Sequence, residues 1–263
     1  MQKRHSDRAT YFEESAQTSA HHYLPYIRRF HALSPATRVL EVGCGEGGNL
    51  LPFAAEGCRV TGIDLAPSRI AQARQFFREH RAQAQFECRD FLAVPAPADR
   101  ARQFDLILLH DVIEHVADKA AFLRHLQRFL RPGGLLFVAF PAWRMPFGGH
   151  QQIARHPLWA KVPYYHLLPA ALYRLLLERA AHEQPDIVQE LLHIRKCRTS
   201  IARFEHLLSR LRLRVRHRQL WLINPHYEQK FHLRPRRLPA GLACLPVIRD
   251  FFSTSCFYLL EKD

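Results

Sequence analysis

The first 35 residues carry apolar positions at spacings that place them on one face of a helix. The pattern ends at Ser34-Pro35, because proline disfavours helical backbone at the residue that precedes it. We therefore predict a helical N-terminal segment over residues 1–35. The apolar positions that define it are Tyr23, Leu24, Ile27, Phe30 and Leu33.

From residue 36 the pattern changes to short apolar segments that alternate with helical ones. The segment 104–110 is almost wholly apolar, as expected for a central strand covered on both faces. Strands and helices that alternate at this spacing predict a parallel, doubly wound α/β sheet. The five predicted strands are 38–42, 58–64, 85–90, 104–110 and 135–140, and the predicted helices between them end near residues 56, 80 and 130.

The alternation ends after residue 140, where a region rich in proline, histidine and aromatic residues begins. Helical patterns at 169–181 and 185–192, without a clear strand, predict a helical substrate cap over residues 142–200. The fold class predicted is therefore α/β, a Rossmann-like doubly wound seven-stranded sheet with a helical cap inserted after strand five.

Residues 201–263 are predicted to complete the core sheet. A helix capped by Thr199 or Ser200 is expected to run to about Leu211, because both hydroxyl side chains are good helix caps. The alternation of apolar residues and arginines that follows predicts an edge strand, and residues 256–260 predict the last strand. A proline-rich covering loop is expected over 224–250.

Composition places the chain among ordinary globular proteins, with 48% hydrophobic and 24% charged residues. No apolar run approaches the roughly 20 residues that a membrane helix needs. The polar start lacks the apolar stretch of a secretory signal, so we expect a cytoplasmic protein without a membrane partner. The six cysteines contain no CxxC pair, which argues against a structural zinc or a disulfide framework.

The net charge of +14 is unevenly distributed. Residues 1–150 carry a net charge of +4 and residues 151–240 a net charge of +11. Such an excess attracts acidic small molecules or RNA. Arginine outnumbers lysine 32 to 6, however, so a codon bias towards arginine explains the excess equally well.

A glycine-rich loop at 43–48 joins the first predicted strand to the following helix. Glycine lets the backbone turn sharply and approach a ligand without a Cβ in the way. The spacing of the glycines in this loop differs from the GxGxxG of NAD and FAD enzymes. Asp64 ends the second strand, where a carboxylate can accept both hydroxyls of a ribose, and Asp90-Phe91 ends the third. Open α/β sheets bind ligands at these carboxyl ends, so a nucleotide-type site is predicted there.

Residues 39–47, Val-Leu-Glu-Val-Gly-Cys-Gly-Glu-Gly, resemble the first motif of class I S-adenosylmethionine-dependent methyltransferases. Residues 60–64, 89–91, 104–115 and 130–135 are similar, in order, to later motifs of the subgroup that contains ubiquinone O-methyltransferases (methyltransferase type 11). The resemblance covers about residues 36–141 and implies a Rossmann-like core that binds S-adenosyl-L-methionine. Residues 142–200 match no pattern of the family, so the resemblance does not identify the methyl acceptor.

The resemblance also implies which residues bind the cofactor. The glutamate before the glycine loop would orient that loop and approach the methionine amino group, and the first two glycines would make room for the methionine part. The aspartate ending the second strand would bind the ribose, and the leucine after it would flank the adenine. The third strand's end would hold the adenine amine and ring, and the histidine ending the fourth strand would contact the methionine or the reacting region. In chain order these residues are Glu41, Gly43, Gly45, Asp64, Leu65, Asp90, Phe91 and His110.

Methyl transfer is an in-line displacement at a carbon activated by the sulfonium, so the protein mainly aligns the reactants and excludes water. An oxygen acceptor of high pKa also needs a base. Gly148-Gly149 permits a tight turn after the fifth strand that would present His150 inward. We expect His150 to be the general base or a substrate anchor, with His115 as a second catalytic candidate. The alternative is a loop histidine that caps backbone.

Asp111, Glu114 and His115 lie together after the fourth strand. In some ubiquinone-type O-methyltransferases, carboxylates and a histidine at this spacing bind a divalent metal. Spacing alone is weak evidence for a metal, and hydrogen bonds that brace the floor of the site explain the same residues. No metal is assigned, and the metal hypothesis stays open. Two polar–aromatic clusters, at 163–166 and 224–227, are expected over the pocket, either to stack on a planar substrate or to pack the lid.

A stripe of alternating arginines favours RNA as the acceptor, although charge on an edge strand more often prevents sheets from aggregating. The chain has no recognisable RNA-binding appendage, and 110–113 lacks the asparagine–proline–proline–aromatic run of many nucleic-acid methyltransferases. We expect a small-molecule acceptor, with oxygen favoured over nitrogen and an acidic or glycan-linked metabolite as one hypothesis. The alternatives are an RNA methyltransferase and a cofactor-binding protein without catalysis. The oligomeric state is left open. The stripe consists of Arg212, Arg214, Arg216 and Arg218.

Overall fold

The computed structural model describes residues 7–262. The polar start of the chain over residues 1–6 lies outside the described residues, as does residue 263. The predicted N-terminal helix is present, but it runs only from Arg8 to Arg28 and so ends before Phe30, Leu33 and Ser34-Pro35. It also contains a π-helical stretch that its sequence did not indicate. Its elements are α1 (Arg8–Thr18), the π-helical stretch (Ser19–Tyr23) and α2 (Leu24–Arg28).

Strands and helices alternate over residues 38–140, as the hydrophobic pattern predicted. The elements are β1 (Arg38–Val42), α3 (Leu51–Ala55), β2 (Arg59–Asp64), α4 (Pro67–Glu79), β3 (Gln85–Cys88), β4 (Phe104–His110), α5 (Lys119–Gln127) and β5 (Leu130–Phe140).

The fifth strand begins earlier than predicted. Leu130 pairs with Phe104 and Leu135 with Leu106, so a bulge accommodates the Pro-Gly-Gly residues within the strand. The helix before it accordingly ends at Gln127 and not at Leu130. The prediction was wrong here because a turn-forming sequence interrupted a strand without ending its pairing.

The region after the fifth strand is helical. It holds α6 (Ala170–Leu175), a second π-helical stretch (Leu176–Ala180) and α7 (Pro185–Cys197). These helices have an apolar core of their own. The buried residues of that core are Tyr165, Tyr173, Leu177, Val188 and Leu191.

The chain then returns to the sheet. Ser200 caps the next helix by accepting a hydrogen bond from the Arg203 N–H, as expected, but this helix ends at Leu208 and not near residue 211. The predicted covering loop at 224–250 is largely structured, which corrects the expectation of a loop. The elements are α8 (Ile201–Leu208), β6 (Leu213–Ile223), α9 (His226–Phe231), β7 (Arg236–Arg237), α10 (Ala240–Ala243), α11 (Ile248–Phe252) and β8 (Ser255–Lys262).

The strands form one sheet in the order β3-β2-β1-β4-β5-β8-β6-β7. The first five are parallel, and β8 runs antiparallel between β5 and β6. The predicted number of seven strands is wrong by one. The two-residue strand β7 adds to the sheet because it pairs with the end of β6, opposite Trp221 and Ile223.

Both faces of the sheet are covered, which explains why β4 is apolar at nearly every position. Ile107 and Leu109 pack with α5 and α8 on one face, while Leu106 and Leu108 pack with α1 to α4 on the other. Helices on both faces of a mostly parallel sheet make this the doubly wound α/β fold that the sequence predicted. No helix within residues 7–262 is long and apolar enough to cross a membrane.

Candidate functional site

The strand order reverses between β1 and β4, and the candidate site lies at the carboxyl ends of the strands beside this point. A pocket of about 90 Å³ opens there. The glycine loop, the end of β4 and, unexpectedly, α1 all contribute to its walls. The lining residues are Tyr11, Phe12, Ser15, Gly43, Cys44, Gly45, Glu46, Gly48, Asn49, Arg69, His110 and Asp111.

The carboxylate of Asp64 ties the loop after β1 to the end of β2. Its Oδ2 accepts a hydrogen bond from the Gly45 N–H at 2.9 Å, and its Oδ1 accepts one from the Ala66 N–H at 2.8 Å. Each carboxylate oxygen can accept more than one hydrogen bond, so capacity remains for hydroxyl donors. Asp64 thus stabilises the turn that follows its own strand. Its side chain is also half-buried at the edge of the pocket, where a ribose could reach it.

The glycine at position 43 is required by the shape of this loop. Its φ of +73° lies in the left-handed region that side chains disfavour, and a Cβ there would come within 2.4 Å of Val112 Cγ2. The loop therefore approaches the segment after β4 as closely as backbone permits.

Glu41 lies at the end of β1 and is completely buried. Its Oε1 accepts a hydrogen bond from Asn49 Nδ2 at 2.8 Å, whereas Oε2 has no hydrogen-bond partner within the described chain. Burial raises the pKa of Glu41 to about 8, because the charged form loses its hydration. A buried carboxyl with one unsatisfied oxygen can accept a bond from an ammonium group. Sequence reasoning missed Asn49, its partner.

The end of β3 differs from the expectation in one respect. Asp90 is exposed and caps a short turn by accepting from the Leu92 N–H at 3.0 Å. The ring of Phe91, however, is only 4% exposed and packs against Phe129, with 4.8 Å between ring centroids. The exposed apolar side chains in this area are Leu65 and Leu92, and the second of these was not singled out from the sequence.

His110 ends β4 and is held from the N-terminal segment. Its Nε2 lies 2.8 Å from the hydroxyl of Tyr23, a residue of the π-helical stretch. Burial raises the pKa of Tyr23 well above its usual value, so the phenol stays protonated and forms a hydrogen bond with His110 Nε2. Asp111 Oδ2 lies 3.7 Å from the same nitrogen. A π-helical turn frequently marks a functional position, and here it sets the register of Tyr23.

Helix α1 covers the glycine loop. Glu46, which is 2% exposed, pairs with Arg8 at 3.0 Å and lies 3.9 Å from Arg69. Burial raises the pKa of Tyr11 to about 12, which keeps its phenol neutral beside the pocket. No motif in the sequence indicated that this helix belongs to the site, because its contacts are long-range.

Glu114, His115 and His150 form a second cluster beyond the end of β4. One ligand atom of each lies within 4.8 Å of the others. His150 Nε2 is 3.9 Å from Glu114 Oε1, and the rings of His115 and His150 have centroids 4.9 Å apart. The structure thus brings together the two histidines predicted as catalytic. Asp111, which the metal hypothesis included, is not a member of this cluster.

The polar atoms of this cluster are unsatisfied. Both carboxyl oxygens of Glu114 and His150 Nε2 are buried without a hydrogen-bond partner among residues 7–262. Burial raises the pKa of Glu114 well above its usual value, and burial and the neighbouring His115 lower the pKa of His150 to about 4. The cluster therefore favours an uncharged carboxyl beside an uncharged imidazole. Such groups in a buried site can form hydrogen bonds with water or with a polar ligand.

The turn that carries His150 depends on glycine. A Cβ at Gly149 would lie 2.3 Å from His166 Cβ, and His150 itself has a φ of +56°. His166 is completely buried: Nε2 lies 2.8 Å from the Trp143 carbonyl, and Nδ1 lies 3.1 Å from Gln151 Nε2. The first polar–aromatic cluster thus serves largely to pack the region that holds the His150 loop.

The second polar–aromatic cluster belongs to α9, which packs over α1. The ring of His226 lies 6.2 Å from that of Tyr11. Burial, with the Asp111 carboxylate as a second cause, raises the pKa of Tyr227 to about 12. Tyr227 is therefore within electrostatic reach of the pocket.

The arginine stripe on β6 is partly neutralised by two shared carboxylates. Arg214 and Arg216 pair with Glu261 at 2.6 and 3.3 Å, and Arg218 pairs with Glu205 at 2.5 Å. Because these guanidinium groups already have carboxylate partners, the stripe offers less free charge to RNA than its sequence suggested.

Comparisons with known proteins agree with this geometry. A ubiquinone biosynthesis O-methyltransferase of Methylobacterium sp. (strain 4-46) is 34% identical over 147 residues, which are 50% of this chain and 58% of that protein. The enzyme of the same name from Xylella fastidiosa (strain 9a5c) is 42% identical over 120 residues, 44% of this chain and 46% of that protein. The chain thus spans about half the length of the curated relatives it matches.

Solved structures share the fold at low sequence identity. Magnesium protoporphyrin IX methyltransferase from Synechocystis PCC 6803, solved with bound SAH, has a TM-score of 0.53 and 14% identity, covering 97% of this chain and 84% of that chain. The plantazolicin methyltransferase BpumL, also with SAH, has a TM-score of 0.51 and 14% identity over the same shares. A family model described as a methyltransferase domain matches residues 12–182. Since this match covers more than half of the sequence, the chain belongs to the methyltransferase-domain family.

Proposed function

We propose that the protein transfers a methyl group from S-adenosyl-L-methionine to a small molecule, with oxygen as the favoured acceptor atom. The observation that carries this proposal is the Asp64 carboxylate, fixed by the Gly45 and Ala66 N–H groups at the mouth of the glycine loop. Family membership and relatives named as O-methyltransferases support the reaction type. Methylation of nitrogen is the second choice.

The residues present fit this cofactor. Left-handed glycines leave the space that a Cβ at Gly43 would fill, and the unpartnered Oε2 of Glu41 suits an ammonium group. Asp64 would accept from the ribose hydroxyls, and the exposed Leu65 would cover one side of the adenine. Asp90 would bind the exocyclic amine. We assign Phe91 to the packing beneath the adenine, since its ring is buried. When bound, the sulfonium supplies an electrophilic methyl group.

His110 would face the methionine part, and Tyr23 would hold its ring in place. The covering helix α1 would exclude water, because Tyr11, Phe12 and Ser15 line the same pocket as the glycine loop. Residues 142–200 would act as the substrate cap, since they carry the His150 loop.

His150 would accept the proton of the acceptor hydroxyl as the methyl group bonds to the oxygen, because an imidazole whose pKa is about 4 is a weak base that removes this proton only when the oxygen becomes positively charged. Its Nε2 has no partner within the described chain and lies beside Glu114 and His115, so an entering hydroxyl would satisfy an otherwise orphaned nitrogen. His115 would orient the acceptor or the His150 ring.

A divalent cation is a second candidate occupant of this cluster. One carboxylate and two imidazoles, with donor atoms within 4.8 Å of one another, are a donor set that zinc accepts. A bound cation would acidify a coordinated hydroxyl. The side chains that would hold it are Glu114, His115 and His150, and not the set with Asp111 that the sequence suggested.

Binding of S-adenosylhomocysteine, measured by calorimetry, tests the proposal. Asp64→Asn should weaken binding about tenfold or more, because a charge-assisted hydrogen bond contributes about 1.5–3 kcal/mol. Asp99→Asn is the matched control, since Asp99 also caps a turn, through the Ala101 N–H, but is remote from the pocket residues. No affinity of the wild-type protein for S-adenosylhomocysteine or S-adenosylmethionine would end the proposal. If the protein does bind the cofactor, incubation with labelled S-adenosylmethionine and fractionated metabolite and RNA pools would identify the class of methyl acceptor.

A further inference from the structure

A groove lies where the cap meets the core, away from the pocket of the glycine loop. It has a volume of about 600 Å³, within the usual range for small-ligand sites. Apolar and cationic side chains share its walls. The lining residues are Trp143, Arg144, Leu167, Arg198, Ser200, Arg203 and Phe251.

A smaller recess of about 190 Å³ continues from this groove. Arg198 and Arg203 line both, so the two form one surface, which we call the basic groove. Lys119 and Lys196 line the recess. Five cationic residues thus surround the basic groove, and no carboxylate of residues 7–262 lines it.

The positive charge of the basic groove is poorly compensated. Arg144 pairs with the buried Asp250 at 2.9 Å, and the other Asp250 oxygen accepts from the Ile201 N–H. The Lys119 ammonium donates to the backbone carbonyls of Val116 and Cys197, which carry no net charge.

The two arginines shared by groove and recess are exposed. Neither Arg198 nor Arg203 forms an ion pair within the described part of the chain. The two guanidinium groups repel each other, and an anion bound between them would offset this repulsion.

The basic groove adjoins the cluster around His150. Lys119 lies within electrostatic reach of both Glu114 and His115. Trp143 lies on the loop that leads from β5 to His150, and its backbone N–H donates to the Thr199 carbonyl at 3.0 Å. A ligand seated in the groove can therefore extend towards the residues proposed to deprotonate the acceptor.

We propose that the basic groove binds the anionic group of the methyl acceptor, so that the substrate is an acidic small molecule with an apolar part. Phosphate or carboxylate would lie between Arg198 and Arg203, and the apolar part would contact Trp143 and Phe251. This inference rests on the proposed methyl transfer for its biological meaning, but the binding site itself does not depend on catalysis.

RNA fits the basic groove less well. A nucleic acid requires a track of free cations along its backbone, whereas the arginines of β6 are paired with Glu261 and Glu205. Within the basic groove, the cations lie beside the apolar side chains of Trp143, Leu167 and Phe251. Such a site suits a compact anion.

Binding of phenyl phosphate and of benzoate to the full chain, measured by calorimetry at low salt, tests the inference and distinguishes phosphate from carboxylate. Loss of both guanidinium groups in Arg198→Gln/Arg203→Gln should weaken binding of the probe about tenfold or more, because the anion loses both of its charged hydrogen-bond donors. Arg210→Gln removes another exposed arginine, beyond the end of α8, and should leave binding unchanged. S-adenosylhomocysteine affinity serves as the folding control for every variant.

The outcomes separate this inference from the proposed function. Binding of a probe that the double variant weakens, without any methyl transfer, would support the groove and contradict the function. Methyl transfer to a neutral acceptor, with full activity in the double variant, would overturn the groove and leave the function intact. The groove assignment also fails if neither probe binds, if both proteins bind the probes equally, or if a structured RNA binds through the two arginines while the probes do not.

Discussion

The hydroxyl of Tyr23 lies 2.8 Å from Nε2 of His110, which links the N-terminal helical segment to the carboxyl end of β4. The two residues are 87 positions apart in the sequence. Burial keeps the phenol protonated, and its hydroxyl forms a hydrogen bond with the imidazole. The covering segment and the candidate cofactor pocket are thereby held in one arrangement.

Tyr23→Phe should weaken S-adenosylhomocysteine binding about threefold or more. The substitution keeps the buried ring but removes the hydroxyl that hydrogen-bonds to His110, at a cost of about 1 kcal/mol in unfolding free energy. Tyr26→Phe is a matched control, because the Tyr26 hydroxyl lies 2.8 Å from His217 Nδ1, outside the pocket. Calorimetry and urea denaturation check both effects. Equal ligand affinity in the two variants would contradict the role given to Tyr23.

Gly43→Ala should destabilise the protein more than Gly133→Ala does. Both glycines have a positive φ, +73° and +69°, which costs an alanine about 1–2 kcal/mol. A Cβ at position 133 meets nothing within 4 Å, whereas one at position 43 would lie 2.4 Å from Val112 Cγ2. The difference in unfolding free energy between the variants therefore measures the close approach alone.

A double-mutant cycle with Val112→Ala tests the cause. Removing both methyl groups of Val112 takes away the clash, so Gly43→Ala should cost less in that background. An unchanged cost would show that the loop is limited by something other than Val112.

The alternating pattern over residues 36–140 predicted the sheet and the positions of Glu41, Gly43, Asp64 and His110, because strand ends and glycine turns are encoded locally. The sequence predicted His115 and His150 as separate catalytic candidates but did not predict that they are in contact. Nothing local could place α1 over the pocket, since Tyr11 and Tyr23 reach the site through long-range packing. The buried state of Phe91 was also missed, because a motif does not fix which way a ring turns.

Acid should destabilise the cap through His166. Burial lowers the pKa of His166 to about 4 from the usual 6.5, and a proton on Nδ1 would face the Gln151 amide, which already donates to the Pro146 carbonyl. The Trp143 carbonyl opposes the shift, and the Arg195 guanidinium reinforces it. The unfolded chain therefore binds a proton that the folded chain does not, between pH 6.5 and about 4.

The contribution of neutral His166 to the unfolding free energy is fully present above pH 6.5. It is lost as the pH falls towards 4, by at most about 1.4 kcal/mol per pH unit. His166→Gln cannot titrate, so its unfolding free energy should fall less steeply over that window. His206→Gln, an exposed control on α8, should keep the wild-type slope. Parallel curves for wild type and His166→Gln would refute the assignment.

His150→Ala should lower methyl transfer about a hundredfold or more while leaving S-adenosylhomocysteine affinity nearly unchanged, since general base catalysis contributes roughly 10²–10⁴ in rate. The acceptor is the one that the labelling experiment identifies. His182→Ala is a matched control, because His182 has the same left-handed backbone, with a φ of 50° against 56°, but is exposed in the cap. Wild-type turnover in His150→Ala would exclude His150 as the base. A chelator that abolishes turnover and zinc that restores it would instead favour the bound cation. In that case metal should be recovered from the wild-type protein but not from Glu114→Gln, because Glu114→Gln and His150→Ala each remove a metal ligand.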